Sequence, residues 1–222
     1  RALVLTPTRE LAAQVEDSVR TYGTHENLRS VVVFGGVNIR PQLSNLRKGV
    51  DILVATPGRL LDLYQQKAVD FSSLEVLIMD EADRMLDMGF INDIRRIMKL
   101  LPKQRQNLMF SATFSNEIRT LAKTICHNPV EIDVAPRNST VEAISQRVYL
   151  VNKPDKIALL STLCRTTTEQ SLVFSRTKHG ANKLVKCLMK GGIKATAIHG
   201  NKSQSQRTKA LADFKANRVQ VM

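Results

Sequence analysis

The sequence predicts an α/β protein built from two parallel-sheet units in tandem. Three observations carry this. Short apolar runs alternate with amphipathic stretches along nearly the whole chain. The run Val76-Leu77-Ile78-Met79 is apolar at every position and leads into acids. A polar stretch, Ala135-Pro136-Arg137-Asn138-Ser139-Thr140, breaks the alternation once, after which it resumes. Strand–helix alternation at this spacing gives βαβ units with right-handed crossovers. A continuous apolar run fits a strand covered on both faces, the signature of a parallel sheet.

In chain order, strands are expected at 2–6, 30–34, 51–55, 74–79, 106–111 and 130–134, with helices between them. In the first helix Leu11, Val15, Val19 and Tyr22 fall at helical spacing and predict the buried face. The polar break marks a linker at 135–145, dividing a first unit, 1–134, from a second, 146–222. In the second unit strands are expected near 146–151, 170–175, 194–198 and 218–222. Helices are expected near 154–164, 177–190 and 203–216. Arg1 leads straight into a strand without an initiator Met, and Val219-Gln220-Val221-Met222 stops without a turn, so an excerpt of a longer protein is expected.

A chain of 222 residues, 43% hydrophobic, is long enough for one large or two small cores. No run approaches the length of a membrane span, and no signal-peptide pattern is present. Cys126, Cys164 and Cys187 are odd in number and widely spaced, which argues against zinc and against a disulfide framework. A reducing, cytoplasmic setting follows as the expectation. The net charge of +13 is unevenly spread: residues 1–145 hold 18 basic and 17 acidic side chains, residues 146–222 hold 15 and 3. Such a half favours a polyanion, nucleic acid first, unless it is only a solubilising surface.

The candidate chemistry lies where strands end. Asp80 and Glu81 follow the strand at 74–79, and Asp83 comes two residues later. Ligands of α/β folds bind at carboxyl ends of strands, and nucleotide hydrolysis needs an acid for Mg²⁺ and a group to orient or deprotonate water. Asp80 and Glu81 suit those roles, although acids at a helix start also serve as plain caps. Pro7, Thr8 and Arg9 stand at another strand-to-helix junction, with backbone N–H groups and Arg9 expected to face outward. Gly35-Gly36 follows a strand and either turns tightly or admits close approach. Thr56-Pro57-Gly58-Arg59 repeats the strand–Pro–Gly–Arg–helix arrangement. If the strands are parallel, the three junctions share one edge and form a track for a sugar-phosphate backbone. Ser111 and Thr113, around Ala112, end the strand at 106–111 and can bond the carboxylates or cap a helix. In the second unit Arg176-Thr177 and His199-Gly200 end strands, and Gln204 and Arg207 follow on the next helix.

In order and spacing, these residues resemble the DEAD-box RNA helicases of superfamily 2. Asp80-Glu81-Ala82-Asp83 spells the family's name, and Pro7-Thr8-Arg9-Glu10-Leu11-Ala12, Gly35-Gly36, Thr56-Pro57-Gly58-Arg59, Ser111-Ala112-Thr113 and Gln204-x-x-Arg207 fall in the family's sequence. The wording at 33–38 and 176–181 is most similar to the bacterial RhlE-like branch. The resemblance implies two RecA-like domains in tandem, both truncated: the first lacks its opening strand and phosphate loop, the second its C-terminal part. It implies ATP and Mg²⁺ as cofactors, with ATP in the cleft between the domains and RNA across both. Asp80 would serve Mg²⁺ through water, Glu81 the metal and the attacking water, and Asp83 would bond Ser111 and Thr113 to link hydrolysis to RNA. Pro7, Thr8, Arg9, Gly35, Gly36, Thr56, Pro57, Gly58 and Arg59 would grip single-stranded RNA or short duplexes independently of sequence. Arg176, Thr177, His199, Gly200, Gln204 and Arg207 would do so in the second domain. The missing strand is expected beside the Asp80 strand, leaving unpaired edges and an inactive, poorly stable excerpt. The sequence has no G-x-x-x-x-G-K-[ST]. A non-enzymatic RNA-binding scaffold with the same fold is the alternative.

Overall fold

The computed structural model describes residues 1–132 and 144–222, and the chain divides into two compact units, 1–139 and 140–222. The polar break at 135–140 lies outside the described residues. In the first unit five four-residue strands form one sheet: β1 (Ala2–Leu5), β2 (Ser30–Val33), β3 (Ile52–Ala55), β4 (Val76–Met79) and β5 (Gln106–Met109). All pairings are parallel and the spatial order is β2-β3-β1-β4-β5. Helices α1 (Arg9–Tyr22), α2 (Ile39–Leu46) and α3 (Pro57–Gln65) follow the first three strands. Helices α4 (Ala82–Asp87) and α5 (Ile91–Leu100) follow β4, and α6 (Asn116–Ile125) follows β5.

Successive strand residues point to opposite faces, so a strand apolar at every position feeds two cores. Leu3, Leu5, Leu77 and Met79 join Leu60, Leu63, Met85, Ile94, Ile97 and Ile118 on one face. Val4 and Val54 meet Ala12 on the other, with Val15 and Ile78 at the margin. The uninterrupted apolar run at 76–79 therefore has its expected cause.

The face of α1 differs from the expected one. Ala12 and Glu16 are its buried residues and Tyr22 is 86% exposed. Small Ala12 sits directly over Val4 and Val54, which turns the larger residues toward the margins. Glu16 is tolerated there because Arg20 pairs with it and the Ser30 hydroxyl donates to it.

The strand beside Asp80 is also a correction. Both edges of β4 are taken, by β1 and by β5, in continuous register, so no strand is missing next to it. Among the described residues the unpaired edges are those of β2 and β5, and at the β5 end Leu108 and Phe110 are exposed. The strand expected at 130–134 is not formed over 130–132, where Val130 and Ile132 are exposed; positions 133 and 134 lie outside the described residues. A strand forms only where its N–H and C=O groups pair with another strand, and residues 130–132 pair with none, although the outer edges of β2 and β5 are open among the described residues.

In the second unit a short 3₁₀ turn (Lys153–Asp155) precedes α7 (Lys156–Arg165), followed by α8 (Lys178–Lys190) and α9 (Gln204–Lys215). All three helices were legible. The strands are reduced to parallel bridges, Ser171 and Ala195 each pairing with Val221. Thus the 218–222 segment lies between the segments near 171 and 195, with a small core of Cys164, Leu188, Ile193 and Val221. No strand forms at 146–151, where Val148 and Leu150 are exposed and no residue pairs with another strand.

Candidate functional site

Because the sheet is wholly parallel, every strand ends on one edge. The ends are flush: Val33 pairs with Ala55, Ala55 and Met79 each with Leu5, and Met109 with Met79. The ladder runs one residue further, Thr56 N–H to Val33 O, Thr6 N–H to Ala55 O, Asp80 N–H to Leu5 O and Phe110 N–H to Met79 O, at 2.8–3.1 Å. Across the edge the order is Gly35-Gly36, Thr56–Arg59, Pro7–Arg9, Asp80-Glu81, Ser111–Thr113. Neighbouring strands stand about 4.8 Å apart, so the three junctions with glycine, proline and arginine span roughly 10 Å and end beside the carboxylates.

Each junction is built locally. Thr8 is the N-cap of α1, its hydroxyl accepting from Leu11 N–H at 3.2 Å, while the Thr6 hydroxyl donates to Thr8 O at 3.3 Å. Thr56 is the N-cap of α3 but makes no side-chain capping bond, and Pro57 at the first helical turn has no N–H to satisfy. Thr56 and Pro57 are buried, whereas Gly58 is exposed and a Cβ there would meet nothing within 4 Å. Gly36 has φ +72°, and a Cβ on it would strike the Arg9 guanidinium, so only glycine fits both demands. Gly35 is different: a Cβ there would meet nothing within 4 Å, leaving its backbone open to close approach. Arg59 turns inward instead of outward. Its Nη2 donates to Val37 O at 3.1 Å and its Nε lies 3.6 Å from Asp62 Oδ2.

At the end of β4, Glu81 is in the left-handed region (φ 50°, ψ 53°) as the N-cap of α4. For a residue with a Cβ this costs about 1–2 kcal/mol. The turn leaves the Glu81 side chain exposed, while its N–H donates to Asp80 Oδ1 at 2.9 Å. Asp83 is fixed from β5's end: its Oδ2 accepts from Thr113 N–H at 3.0 Å and the Thr113 hydroxyl at 2.8 Å. Asp83 N–H donates to Ser111 Oγ at 3.3 Å, and the Ser111 hydroxyl donates to Thr113 O at 2.7 Å. Burial pushes the Asp83 carboxyl up, but the bonds from the Thr113 hydroxyl, Arg84 N–H, Ser111 and Thr113 N–H together hold it below its ordinary value. The hydroxyls at 111 and 113 thus bond the third acid, while α6 is capped by Ser115, whose Oγ accepts from Ile118 N–H.

The second unit gathers its candidates at the starts of α8 and α9. Thr177 caps α8, accepting from Gly180 N–H at 3.0 Å, and Arg176 is exposed beside it. His199 Nδ1 accepts from Asn201 N–H at 3.3 Å, so Nε2 carries the proton toward Asn182 Oδ1 at 3.0 Å. Partial burial, then Lys202, Lys178 and His179, push the imidazole below its usual value. Gly200 follows in the turn, Ser203 caps α9 with a capping box to Gln206, and Gln204 and Arg207 lie on its first turn.

The DEAD/DEAH box helicase profile matches residues 1–121, and the helicase conserved C-terminal domain profile matches 155–222. This chain belongs to the DEAD/DEAH box helicase family. Its relatives include the DEAD-box ATP-dependent RNA helicase RhpA of Helicobacter pylori, 39% identical over 222 residues, 100% of this chain and 45% of that protein. DEAD-box ATP-dependent RNA helicase 30 of Arabidopsis thaliana is likewise 39% identical, over 99% of this chain and 38% of its own length. Among solved structures, Saccharomyces cerevisiae Dbp5 bound to RNA and ADP BeF3 has a TM-score of 0.87 and 31% identity, covering 100% of this chain and 56% of that one. A DEAD box protein from Methanococcus jannaschii is 37% identical, with a TM-score of 0.58, and 60% of it is covered. The chain therefore spans about half the length of the relatives it matches. Bacterial and plant relatives stand at the same identity, which does not single out the RhlE-like branch.

Sequence reasoning missed one residue at this edge. Gln42, on α2, is buried and bonded to both backbone groups of Phe34, next to the glycine pair. The available signal was a polar residue within the apolar stripe Ile39, Leu43, Leu46.

Proposed function

We propose that the protein to which this chain belongs is an ATP-dependent RNA helicase that couples nucleotide hydrolysis to local duplex separation or remodelling of RNA–protein complexes. The observation that carries this reading is the flush sheet edge, where three junctions bearing glycine, proline and arginine lie beside two carboxylates and a bonded acid–hydroxyl pair. Single-stranded RNA runs over Pro7–Arg9, Gly35-Gly36 and the Thr56–Gly58 turn in one RecA-like domain, assigned to 1–134. Arg176, Thr177, His199, Gly200, Gln204 and Arg207 supply further contacts in a second, 146–222, after a linker at 135–145. Relatives named as RNA helicases and a neighbour bound to RNA and ADP BeF3 support both ligands.

Asp80 and Glu81 fit a hydrated Mg²⁺, which takes one or two protein carboxylates and otherwise water and phosphate oxygens. Asp80 keeps one oxygen for that role while Oδ1 holds Glu81 N–H. When bound, the ion neutralises phosphate charge. Glu81, exposed and held out by its left-handed backbone, orients the attacking water and takes its proton. Asp83 ties the carboxylate turn to the Ser111–Thr113 turn, so displacement of either reaches the other. Three free cysteines, odd in number and widely spaced, support a reducing, cytoplasmic setting.

The test is Glu81→Gln in the full-length protein. It keeps the shape and removes the base, so kcat for ATP should fall by about 10²-fold or more while ATP-dependent RNA binding survives. Turnover near wild type would sink the assignment. An RNA-binding scaffold without ATP chemistry has no physical need for the intact Asp80, Glu81, Ser111 and Thr113.

A further inference from the structure

We propose that Gln42 and Arg59 are positioning residues that hold the Gly35-Gly36 turn ready for an RNA backbone, neither of them bonding RNA itself. The inference rests on the RNA reading above and goes beyond it by assigning how the grip is kept in shape.

β2 is an edge strand, so backbone groups on its outer side have no strand partner among the described residues. Phe34, the residue after β2, finds one in a side chain. Its N–H donates to Gln42 Oε1 at 3.2 Å, and Gln42 Nε2 donates to its carbonyl at 3.1 Å. The amide thus makes the pair of bonds that another strand would make, with donor and acceptor on one neutral group. Gln42 is only 8% exposed, so its amide is committed to these bonds and costly to leave unpaired.

The other end of the turn is held by Arg59. Its side chain is 10% exposed and its Nη2 bonds Val37 O at 3.1 Å. Between these two ties lie Gly36, over the Arg9 guanidinium, and Gly35, with open space where a Cβ would be. A phosphate approaching Gly35 meets a backbone already fixed at Phe34 and Val37, so no ordering cost falls on binding. Arg59 Nη1 is buried without a hydrogen-bond partner. A direct phosphate bond from it is the rival role, and ionic strength separates the two. A cation that neutralises a phosphate contributes about 0.7 to the salt slope of single-strand binding, whereas a residue that only shapes the backbone contributes nothing.

The experiment measures binding of a fluorescent 12-nucleotide uridine RNA to the full-length protein over a salt series, with a non-hydrolysable ATP analogue present. Gln42→Ala, Gln42→Glu and Arg59→Met should each weaken binding by about tenfold and leave the salt slope at its wild-type value. Arg9→Met serves as the comparison and should flatten the slope. Hydrogen exchange adds a readout on the turn: the Phe34 amide should lose protection in Gln42→Ala and keep it in Gln42→Glu, which retains the acceptor. If Gln42→Ala unfolds, the near-isosteric Gln42→Glu carries the test. Wild-type affinity in both Gln42 variants, or an Arg59→Met slope flattened as much as that of Arg9→Met, overturns the positioning assignment alone. No RNA binding by the wild-type protein overturns the RNA reading and this proposal together.

Discussion

At the scale of single residues, Asp83 is the hinge of the site, since it accepts two bonds from Thr113 and its own N–H reaches Ser111. Its carboxyl is held below the ordinary value, so the folded state binds its proton less readily than the unfolded chain does. The stabilisation is therefore complete above the unfolded value, about 3.9, and is lost as pH falls through the lower folded value. Asp83→Asn should lower thermal stability at neutral pH and flatten the acid limb of a melting series below about pH 4. An acid limb unchanged from wild type would remove Asp83 from the account. For coupling, Ser111→Ala combined with Thr113→Ala in the full-length protein should leave RNA-stimulated ATPase largely intact while impairing duplex separation. Parallel assays of the two activities decide this, and equal loss of both would make the hydroxyls structural only.

At the scale of elements, β5 is the weak strand of the sheet. Its outer edge is unpaired among the described residues, and Leu108 and Phe110 are exposed along it. Unpaired apolar edges recruit other strands and lead to aggregation. In residues 1–222 alone, Leu108→Lys should raise the concentration at which aggregation begins, with a melting midpoint within a few degrees of wild type, because little packing is lost. Light scattering during heating checks both. A large drop in the midpoint would show that Leu108 is packed after all. The same elements show how far local pattern reaches. The helices at 156–165, 178–190 and 204–215 lie within about two residues of expectation, as periodicity and caps such as Thr177 and Ser203 specify them locally. No strand forms over 130–132 or 146–151, because a strand's bonds lie with another segment, which composition cannot supply.

At the scale of the whole molecule, the uneven charge and the incomplete edges combine. Residues 1–222 contain no phosphate loop, so nothing offsets triphosphate charge next to Asp80 and Glu81. The chain by itself should show no RNA-stimulated ATP turnover and no tight ATP binding. Its 15 basic side chains against 3 acidic in residues 146–222 should still give weak RNA binding at low salt, with log K falling linearly against log salt concentration. Turnover assays and fluorescence titrations of this chain test both halves. Measurable RNA-stimulated hydrolysis would mean that other residues hold the phosphates.

The sequence alone determined the parallel α/β class, the junctions at Thr6–Arg9, Gly35-Gly36, Thr56–Arg59, Asp80–Asp83 and Ser111–Thr113, and the family they resemble. These are local properties: apolar runs, caps and short spacings are written in consecutive residues. Only the tertiary structure decided the spatial order β2-β3-β1-β4-β5, which sets the Pro7–Arg9 junction, first in the chain, between Thr56–Arg59 and Asp80-Glu81. It alone closed both sides of β4, turned Arg59 inward and brought Gln42 to Phe34. The reason is physical: parallel strands are joined by long crossovers, so which strands become neighbours, and which side chains meet across them, depends on the packing of the whole sheet rather than on any stretch of it.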